Sequence, residues 1–354
     1  LAAGTYSVSQ TLIPGFTQTT PTQAGVIALQ YDWGRTTEGA AGSAAEATVV
    51  RTDADGHIFV AGTFEGTVDL APGTGLGPVV SNGSRDIYVT KLNPDGSPVW
   101  TRTFGGAFED SLESLVVDSS GSVFVAGSFG MTVDFDPTAG TDNRSTVGIR
   151  DGFLLKLHAD GSYGWVKTFG GTNAHTSVLA VCRDSSDNLY LTGTFSKTVD
   201  FNPGAGTDTG TAPEGVFGVF VTRIHADGTY GWTRTMSGNS FARGMAVGAD
   251  SAGNLYVTGH FYRTVDFNPG AEVQNLSSSG DYDIFLAKFT VGGDYLWTKQ
   301  IGGSDWDMVQ DLKIDAWGNI YLTGLFSTGV DFNPEAGVDY RTTHSHIGGA
   351  FLTK

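Results

Sequence analysis

Cysteine is nearly absent from this chain of 354 residues, since Cys182 is the only one. No intrachain disulfide can form and no cysteine-based metal site is available. Basic residues are also scarce, with 20 Lys and Arg against 37 Asp and Glu and a net charge of −17. That balance disfavours nucleic acid and anionic membranes as partners. No apolar run reaches transmembrane length and no signal-like segment opens the chain, so a mature or excised soluble segment is expected.

The chain instead has abundant glycine, 51 residues, and a tandem repeat. The segments VDLAPGTG, VDFDPTAG, VDFNPGAG, VDFNPGAE and VDFNPEAG begin at positions 68, 133, 199, 265 and 330. A tryptophan recurs with nearly the same period, as Trp33, Trp100, Trp165, Trp232 and Trp297. The period of about 66 residues is long enough for one supersecondary unit of four strands.

Each period contains four segments with strand character, and none shows helical periodicity. In the third period they are SVLAVCRD, NLYLTGTFSKTVDF, VFVTRIH and YGWTRTM. Short turns such as DADG, DSSG and DSAG join the first segment to the second, and NPDG or HADG joins the third to the fourth. These turns indicate antiparallel hairpins. The repeat therefore predicts an all-β, five-bladed β-propeller with four antiparallel strands per blade.

The two ends of the chain are complementary in this pattern. Residues 309–354 supply three strands of a last blade, and residues 25–37 supply one strand without partners. We expect this N-terminal strand to close the last blade, because closure removes two exposed sheet edges. The predicted domains are an N-terminal arm or linker over 1–24 and the propeller over 25–354.

The pattern D-x-x-G-N-[LIV]-Y-[LV]-T-G-x-F, followed by D-x-F-[LV]-x-K and D-G-x-x-x-W-x-[RK]-x-x-G-G, resembles the SBBP-type β-propeller repeat of bacterial secreted and surface proteins. The resemblance covers the residues from 25 to 354. The family name assumes seven blades, whereas the period and the ends of this chain indicate five. The resemblance implies an extracellular or cell-surface location, and it leaves the function open because such repeats occur in many multidomain contexts.

The Asp-x-Asn-Pro segments offer side-chain oxygens at positions 1, 3 and 9 of a tight loop, a spacing that resembles calcium loops. The candidate ligands are Asp134, Asp136 and Asp142; Asp200, Asn202 and Asp208; Asp266 and Asn268; and Asp331, Asn333 and Asp339. Calcium is the one cofactor that the sequence suggests. The alternative is that Asp and Asn cap the turn through backbone hydrogen bonds while Pro fixes φ.

Strand alternation places the short turns on one face of the predicted propeller and the long loops on the other face. We call the second the long-loop face and expect a binding surface there. Phe241 and Trp306 occupy equivalent long loops, and Trp317 lies in the short turn DAWG on the opposite face. These three are the candidate interaction residues. The five repeating tryptophans are instead expected to pack between blades.

These features favour a non-enzymatic, secreted or cell-surface scaffold that binds a protein, extracellular matrix or polysaccharide partner, with self-assembly left open. A carbohydrate-binding, lectin-like propeller is the alternative, although the loop aromatics do not repeat from blade to blade. A glycosidase is less favoured, because it needs two carboxylates at a defined separation in the channel. The first strands offer Glu46, Glu113 and Asp311 at unequal registers. No nucleophile elbow or phosphate loop is present.

Overall fold

The computed structural model describes residues 33–72, 77–343 and 348–354. The chain divides into two compact bodies, Leu1–Arg35 and Thr36–Lys354. The predicted boundary after residue 24 and most of the predicted closing strand lie outside the described residues. The described part of the second body consists of strands and turns without a helix, which confirms the all-β prediction. None of the described residues forms a helix long and apolar enough to cross a membrane.

Five repeats of β-strands follow one another after a short strand β1 (Glu38–Gly39). Repeat 1 contains β2 (Ala44–Thr52), β3 (Ile58–Glu65), β4 (Thr67–Asp69), β5 (Val79–Val80), β6 (Asp86–Leu92) and β7 (Pro98–Gly106). Repeat 2 contains β8 (Ser111–Val117), β9 (Val123–Phe129), β10 (Thr132–Asp134), β11 (Asn143–Ser145), β12 (Asp151–Leu157) and β13 (Tyr163–Phe169).

Repeat 3 contains β14 (Thr176–Arg183), β15 (Leu189–Ser196), β16 (Thr198–Asp200), β17 (Thr209–Thr211), β18 (Phe217–Ile224) and β19 (Tyr230–Gly238). Repeat 4 contains β20 (Ala242–Ala249), β21 (Leu255–Asp266), β22 (Asn275–Phe289) and β23 (Tyr295–Gly303). Repeat 5 contains β24 (Asp307–Ile314), β25 (Ile320–Phe326), β26 (Gly329–Asp331), β27 (Tyr340–Thr342) and β28 (Gly349–Thr353).

Each of the first four repeats is built on four antiparallel strands in chain order. The orders are β2-β3-β6-β7, β8-β9-β12-β13, β14-β15-β18-β19 and β20-β21-β22-β23. Repeat 5 has the order β24-β25-β28 among the described residues. The predicted four-stranded unit is therefore confirmed in repeats 1 to 4.

A glycine in the second strand of every repeat permits an irregular pairing with the first strand. The register of the first strand shifts opposite these glycines, which are Gly62, Gly127, Gly193, Gly259 and Gly324. A Cβ added at any of them would lie 1.8–2.1 Å from a backbone oxygen of the first strand. Only glycine fits that approach, which explains the glycine of the T-G-x-F motif.

The apolar core lies between successive repeats. Phe59 and Val89 of repeat 1 share one buried cluster with Leu115 of repeat 2. The repeating tryptophans also pack against the next repeat. A Cβ added to the glycine in the hairpin turn of that repeat would lie 2.8 Å from the indole ring. The pairs are Trp100 with Gly161, Trp165 with Gly228 and Trp232 with Gly293. The predicted packing role of the tryptophans is confirmed for these three.

The fourth strand of one repeat, which we call its outer strand, also pairs with the VDF segment of the next repeat. We call this contact the stitch. Gly105–Gly106 pairs with Asp134 and Val133, and Gly302–Gly303 pairs with Asp331 and Val330. Ser237–Gly238 pairs in the same way with β21, and Glu38–Gly39 pairs with β4. A Cβ on Gly106, Gly171, Gly238 or Gly303 would lie 1.9–2.4 Å from a carbonyl oxygen of the next repeat.

The residue before the stitch glycine lies against a residue of the third strand of its own repeat, and the two are complementary in size. In repeats 1, 2 and 4 it is a glycine, and a Cβ there would lie 2.1–2.3 Å from the carboxyl of buried Asp86, Asp151 or Asp283. Burial raises the pKa of Asp86 to about 6, although a hydrogen bond from the Asn82 N–H opposes the rise. Repeat 3 reverses the pair, since Gly218 replaces the aspartate and a Cβ added there would lie 3.1 Å from the Cβ of Ser237. A large side chain on one strand thus requires a small one opposite.

We expect Gly171→Ala to lower the free energy of unfolding by about 1–3 kcal/mol, because the new methyl group would overlap backbone atoms that cannot rotate away. The added Cβ would lie 1.9 Å from the Thr198 carbonyl oxygen. Gly292→Ala is the matched control, since its Cβ would meet only two side-chain oxygens at 3.6 Å. Urea unfolding of both variants measures the difference, and equal midpoints would contradict the role assigned to the stitch.

Candidate interaction surface

The first aspartate of each VDF loop holds the loop closed through backbone hydrogen bonds. In repeat 3, Asp200 Oδ1 accepts the N–H groups of Asn202 and Asp208, both at 3.0 Å. Asp134, Asp266 and Asp331 make the same two bonds to the residues two and eight positions later. One oxygen of each position-1 carboxylate therefore already accepts two backbone donors.

The residues at position 3 cap the next turn. Asn202, Asn268 and Asn333 each accept a backbone N–H through Oδ1 at 2.9 Å, and Asp136 does the same for Thr138. The proline between positions 3 and 5 fixes φ at the start of this turn. These are the bonds that the capping interpretation predicts.

The acids at position 9 bond to side chains from elsewhere. Asp142 accepts hydrogen bonds from the Tyr163 hydroxyl and from Arg144, and Asp208 accepts one from the Tyr230 hydroxyl. Burial works to raise the pKa of Asp142, but these hydrogen bonds together lower it. Asp339 forms a 2.6 Å ion pair with Arg341. A tyrosine or arginine side chain thus already bonds to the carboxylate of Asp142, Asp208 and Asp339.

Within the described residues, three acidic or imidazole groups approach one another closely enough for a shared metal only at Asp53, Asp55 and His57. Asp53 accepts two backbone N–H groups there and pairs with His57 Nδ1 at 2.9 Å. The Lys91 amino group lies 3.8 Å from the same carboxylate. The Asp53 carboxylate is therefore already engaged by His57, by Lys91 and by two backbone N–H groups. Calcium binding at the VDF loops stays a prediction.

The three predicted interaction residues lie in different surroundings. Trp317 is 87% exposed at the tip of its turn. Trp306 is half-buried, and a Cβ on Gly348 would lie 2.7 Å from its indole ring. Phe241 is half-buried between Phe217 and Tyr282, with ring centroids 5.9 and 5.7 Å away. Trp317 alone presents most of its side chain to solvent, while the other two contribute to local packing.

The long-loop face of repeat 2 carries an apolar surface that the repeat pattern did not reveal. Phe108, Met131, Val147 and Ile149 are 54%, 57%, 64% and 57% exposed. We call these four residues the apolar patch. They come from the loop after Gly106, from the turn before β10 and from the loop after β11. Large apolar side chains grouped on a surface are typical of interaction sites.

Backbone contacts and the side chain of Arg150 hold the loops of the apolar patch together. A Cβ on Gly130, the residue before Met131, would lie 3.3 Å from Phe108 Cβ. The Thr146 N–H donates to the Met131 carbonyl at 2.8 Å, and Arg150 Nη1 donates to the Glu109 carbonyl at 2.9 Å. Apolar residues inside the Gly-rich loops GGAFED, FGMTVD and STVGIRD were the signal in the sequence, but their proximity depends on how the loops fold.

A charged group lies among the first strands. Burial raises the pKa of Glu113, and the positive charges of Arg243 and Arg150 oppose that rise. A hydrogen bond with the Ser111 side chain also opposes the rise. Arg243 of β20 and Arg150, which precedes β12, thus act on the same carboxyl group.

We expect Asp200→Ala to lower the free energy of unfolding by about 1–2 kcal/mol in the presence of a chelator, because it removes two backbone caps. Thermal melts of the wild type and of this variant, each with chelator and with added calcium, provide the measurement. The calcium hypothesis requires a different result: a calcium-dependent rise in the wild-type midpoint that Asp200→Ala and Asp331→Ala abolish. Asp69→Ala is the control, because its loop lacks the position-9 acid.

No family model matches the chain. An uncharacterized WD repeat-containing protein of Acanthamoeba polyphaga mimivirus is 24% identical over 375 residues, which covers 86% of this chain and 27% of that protein. The regulatory protein FlaEY of Caulobacter vibrioides is 24% identical over 315 residues, which covers 81% of this chain and 31% of that protein. A crystal structure of a Bacteroides caccae protein of unknown function covers 72% of this chain and 82% of its own, with 8% identity and a TM-score of 0.31.

The chain spans about a third or less of the length of the two curated relatives that it matches. WD repeats form the blades of β-propellers, so the name of the first relative is consistent with a repeat protein of the propeller type. The five antiparallel repeats of this structure agree with that similarity.

Proposed function

We propose that this chain is a non-enzymatic scaffold whose long-loop face binds a protein or extracellular matrix partner, with an extracellular or cell-surface location as the SBBP-type resemblance implies. The observation that carries the proposal is the apolar patch. Its four large side chains are more than half exposed although the loops that bear them are held by backbone bonds. A preformed apolar surface loses little entropy on binding.

The surroundings of the apolar patch fit a protein partner. Arg85 and Glu109 form a 3.9 Å ion pair beside Phe108, and Arg144 pairs with Asp142 at 2.7 Å next to the loop of Val147. A central apolar group with a charged rim is the usual anatomy of a protein interface. The proposed partner therefore presents apolar side chains bordered by polar ones.

We expect the double variant Phe108→Asp and Met131→Asp to abolish recovery of this partner from a native extract. Binding would bury the two new carboxylates in the interface, and their desolvation would oppose binding. Aspartate tolerates the left-handed backbone of Met131, where φ is 58°. Quantitative pull-downs with the wild type and with the double variant make the comparison. Val338→Asp is the control, since its side chain is 78% exposed in a different loop. Identical protein sets from all three baits would sink the proposal.

We further propose that the repeats close into a five-bladed propeller, with the strand around Trp33 as the fourth strand of the last blade. Two exposed faces support closure. Leu352 of repeat 5 is 71% exposed, whereas its counterparts Val89, Leu154 and Val221 are completely buried and its counterpart Leu286 in repeat 4 is partly buried. Val50 of repeat 1 is 59% exposed, whereas its counterparts Leu115, Val181, Val247 and Leu312 are at most 7% exposed. In the interior repeats such faces cover one another.

The matched pair at the stitch supports the same closure. Glu38 occupies the position of Gly105 in the repeat, and Gly349 occupies the position of Asp86. Glutamate opposite glycine repeats the reversal that repeat 3 makes with Ser237 and Gly218. The residues at the two ends of the array are thus complementary in size, as a shared sheet requires.

Closure predicts that Leu352→Asp and Val50→Asp each lower the free energy of unfolding by about 2–4 kcal/mol, because both side chains become buried in the ring. Val338→Asp again serves as the control and should change stability little. Sedimentation at several protein concentrations then separates a closed monomer from copies joined head to tail through the same two faces. Unchanged stability in both variants would mean that the faces stay exposed to solvent.

Carbohydrate binding is the second candidate function. It is favoured by a polar groove between repeats 3 and 4, since the sugar sites of lectins are shallow and polar. Glycosidase activity has less support, because it needs two carboxylates at a defined separation and the first strands offer Glu46, Glu113 and Asp311 at unequal registers.

A further inference from the structure

A groove of about 820 Å³ opens between repeats 3 and 4 on the outer side of β19. One wall is the outer strand of repeat 3, residues 233–235, with the end of its VDF loop, residues 208–210. The opposite wall is formed by residues 268–274 of the next VDF loop and by residues 293–296 of the following hairpin turn. Both repeats therefore contribute to one concave site.

The equivalent place between repeats 1 and 2 has a different chemistry. That groove is about 440 Å³. Its strand wall, Thr101 to Thr103, repeats the Thr-Arg-Thr run of residues 233–235, but Leu70, Ala71, Val79 and Val99 together with Trp100 make the rest of its lining largely apolar. The larger groove between repeats 3 and 4 instead gains polar residues from the next VDF loop, residues 268–274.

A substitution within the repeat changes the polar groups of the groove. In repeats 2 and 3 the position-9 aspartate accepts a hydrogen bond from the tyrosine that begins the outer strand, Asp142 from Tyr163 and Asp208 from Tyr230. In repeat 4 the tyrosine is Tyr295, but the position-9 residue is Gln274. The tyrosine–carboxylate bond of the two preceding repeats therefore cannot form between these positions, and both residues line the groove.

The charges of the lining restrict the ligand. Asp208, Glu272 and Asp294 face a single cation, Arg234. The guanidinium of Arg234 already donates to the carbonyls of Gly293 and Thr233, both at 2.8 Å. An anionic ligand would meet uncompensated negative charge, and an apolar ligand would leave many polar groups without partners.

We propose that this groove binds a neutral saccharide. Carboxylate, amide and hydroxyl groups can exchange hydrogen bonds with several sugar hydroxyls, and the half-buried ring of Tyr295 offers an apolar platform for a sugar face. This inference rests on the carbohydrate-binding alternative and makes no use of the apolar patch.

Calorimetric titration tests the proposal with neutral tetrasaccharides of glucose, xylose, mannose and galactose, and with tetragalacturonate as the anionic counterpart. We expect at least one neutral tetrasaccharide to bind and tetragalacturonate to bind much more weakly. Gln274→Ala and Tyr295→Leu should each weaken binding by about tenfold or more, because each removes a direct contact. Gln274→Ala leaves the backbone N–H that Asp266 accepts, so it should preserve the loop.

Two matched variants locate the site. Val99→Ala changes the apolar groove between repeats 1 and 2, and Phe108→Asp changes the apolar patch. Both should bind the saccharide as the wild type does, and loss of partner binding in Phe108→Asp would bear only on the scaffold proposal. Three results would each overturn the inference. They are no binding of any of the four neutral tetrasaccharides, stronger binding of tetragalacturonate, and wild-type affinity in both Gln274→Ala and Tyr295→Leu.

Discussion

The contact between a glycine at the end of one repeat and a carbonyl oxygen of the next holds successive sheets in register. At Gly171, Gly238 and Gly303 a methyl group would lie within 2.1 Å of that oxygen, so backbone meets backbone without intervening side chains. Because the same glycine recurs at the end of every outer strand from repeat 1 to repeat 4, each junction has similar geometry. The tryptophan contacts and the buried clusters between repeats both require that spacing.

The stitch also fixes where each VDF loop begins, and the aspartate that ends the paired segment then caps the loop. Asp134, Asp200, Asp266 and Asp331 each bind two backbone N–H groups, so the loops keep one conformation while residues at their tips vary. A rigid loop with variable side chains is well suited to recognition. The apolar patch in repeat 2 and the polar groove between repeats 3 and 4 are two different results of the same arrangement.

Variation between repeats is informative because the backbone stays constant. Gly218 opposite Ser237 reverses the usual aspartate and glycine, which shows that the two positions compensate for each other in size. Gln274 replaces the aspartate that binds tyrosine in the two preceding repeats, and the polar groove between repeats 3 and 4 lies at that point. Departures from the repeat thus mark positions where one junction differs in packing or chemistry from the others.

The sequence by itself determined the period, the strand character, the hairpin turns and the packing role of the tryptophans. These depend on alternation and turn residues that are local in the chain. Only the tertiary structure decided which side chains meet. Phe108, Met131 and Ile149 come from three separate loops, and Asp142 finds its partner in Tyr163, 21 residues later. Likewise, the fold places Gly348 against the half-buried Trp306, whereas Trp317 is 87% exposed at the tip of its turn. Such contacts depend on strand register and loop closure, which local patterns do not encode.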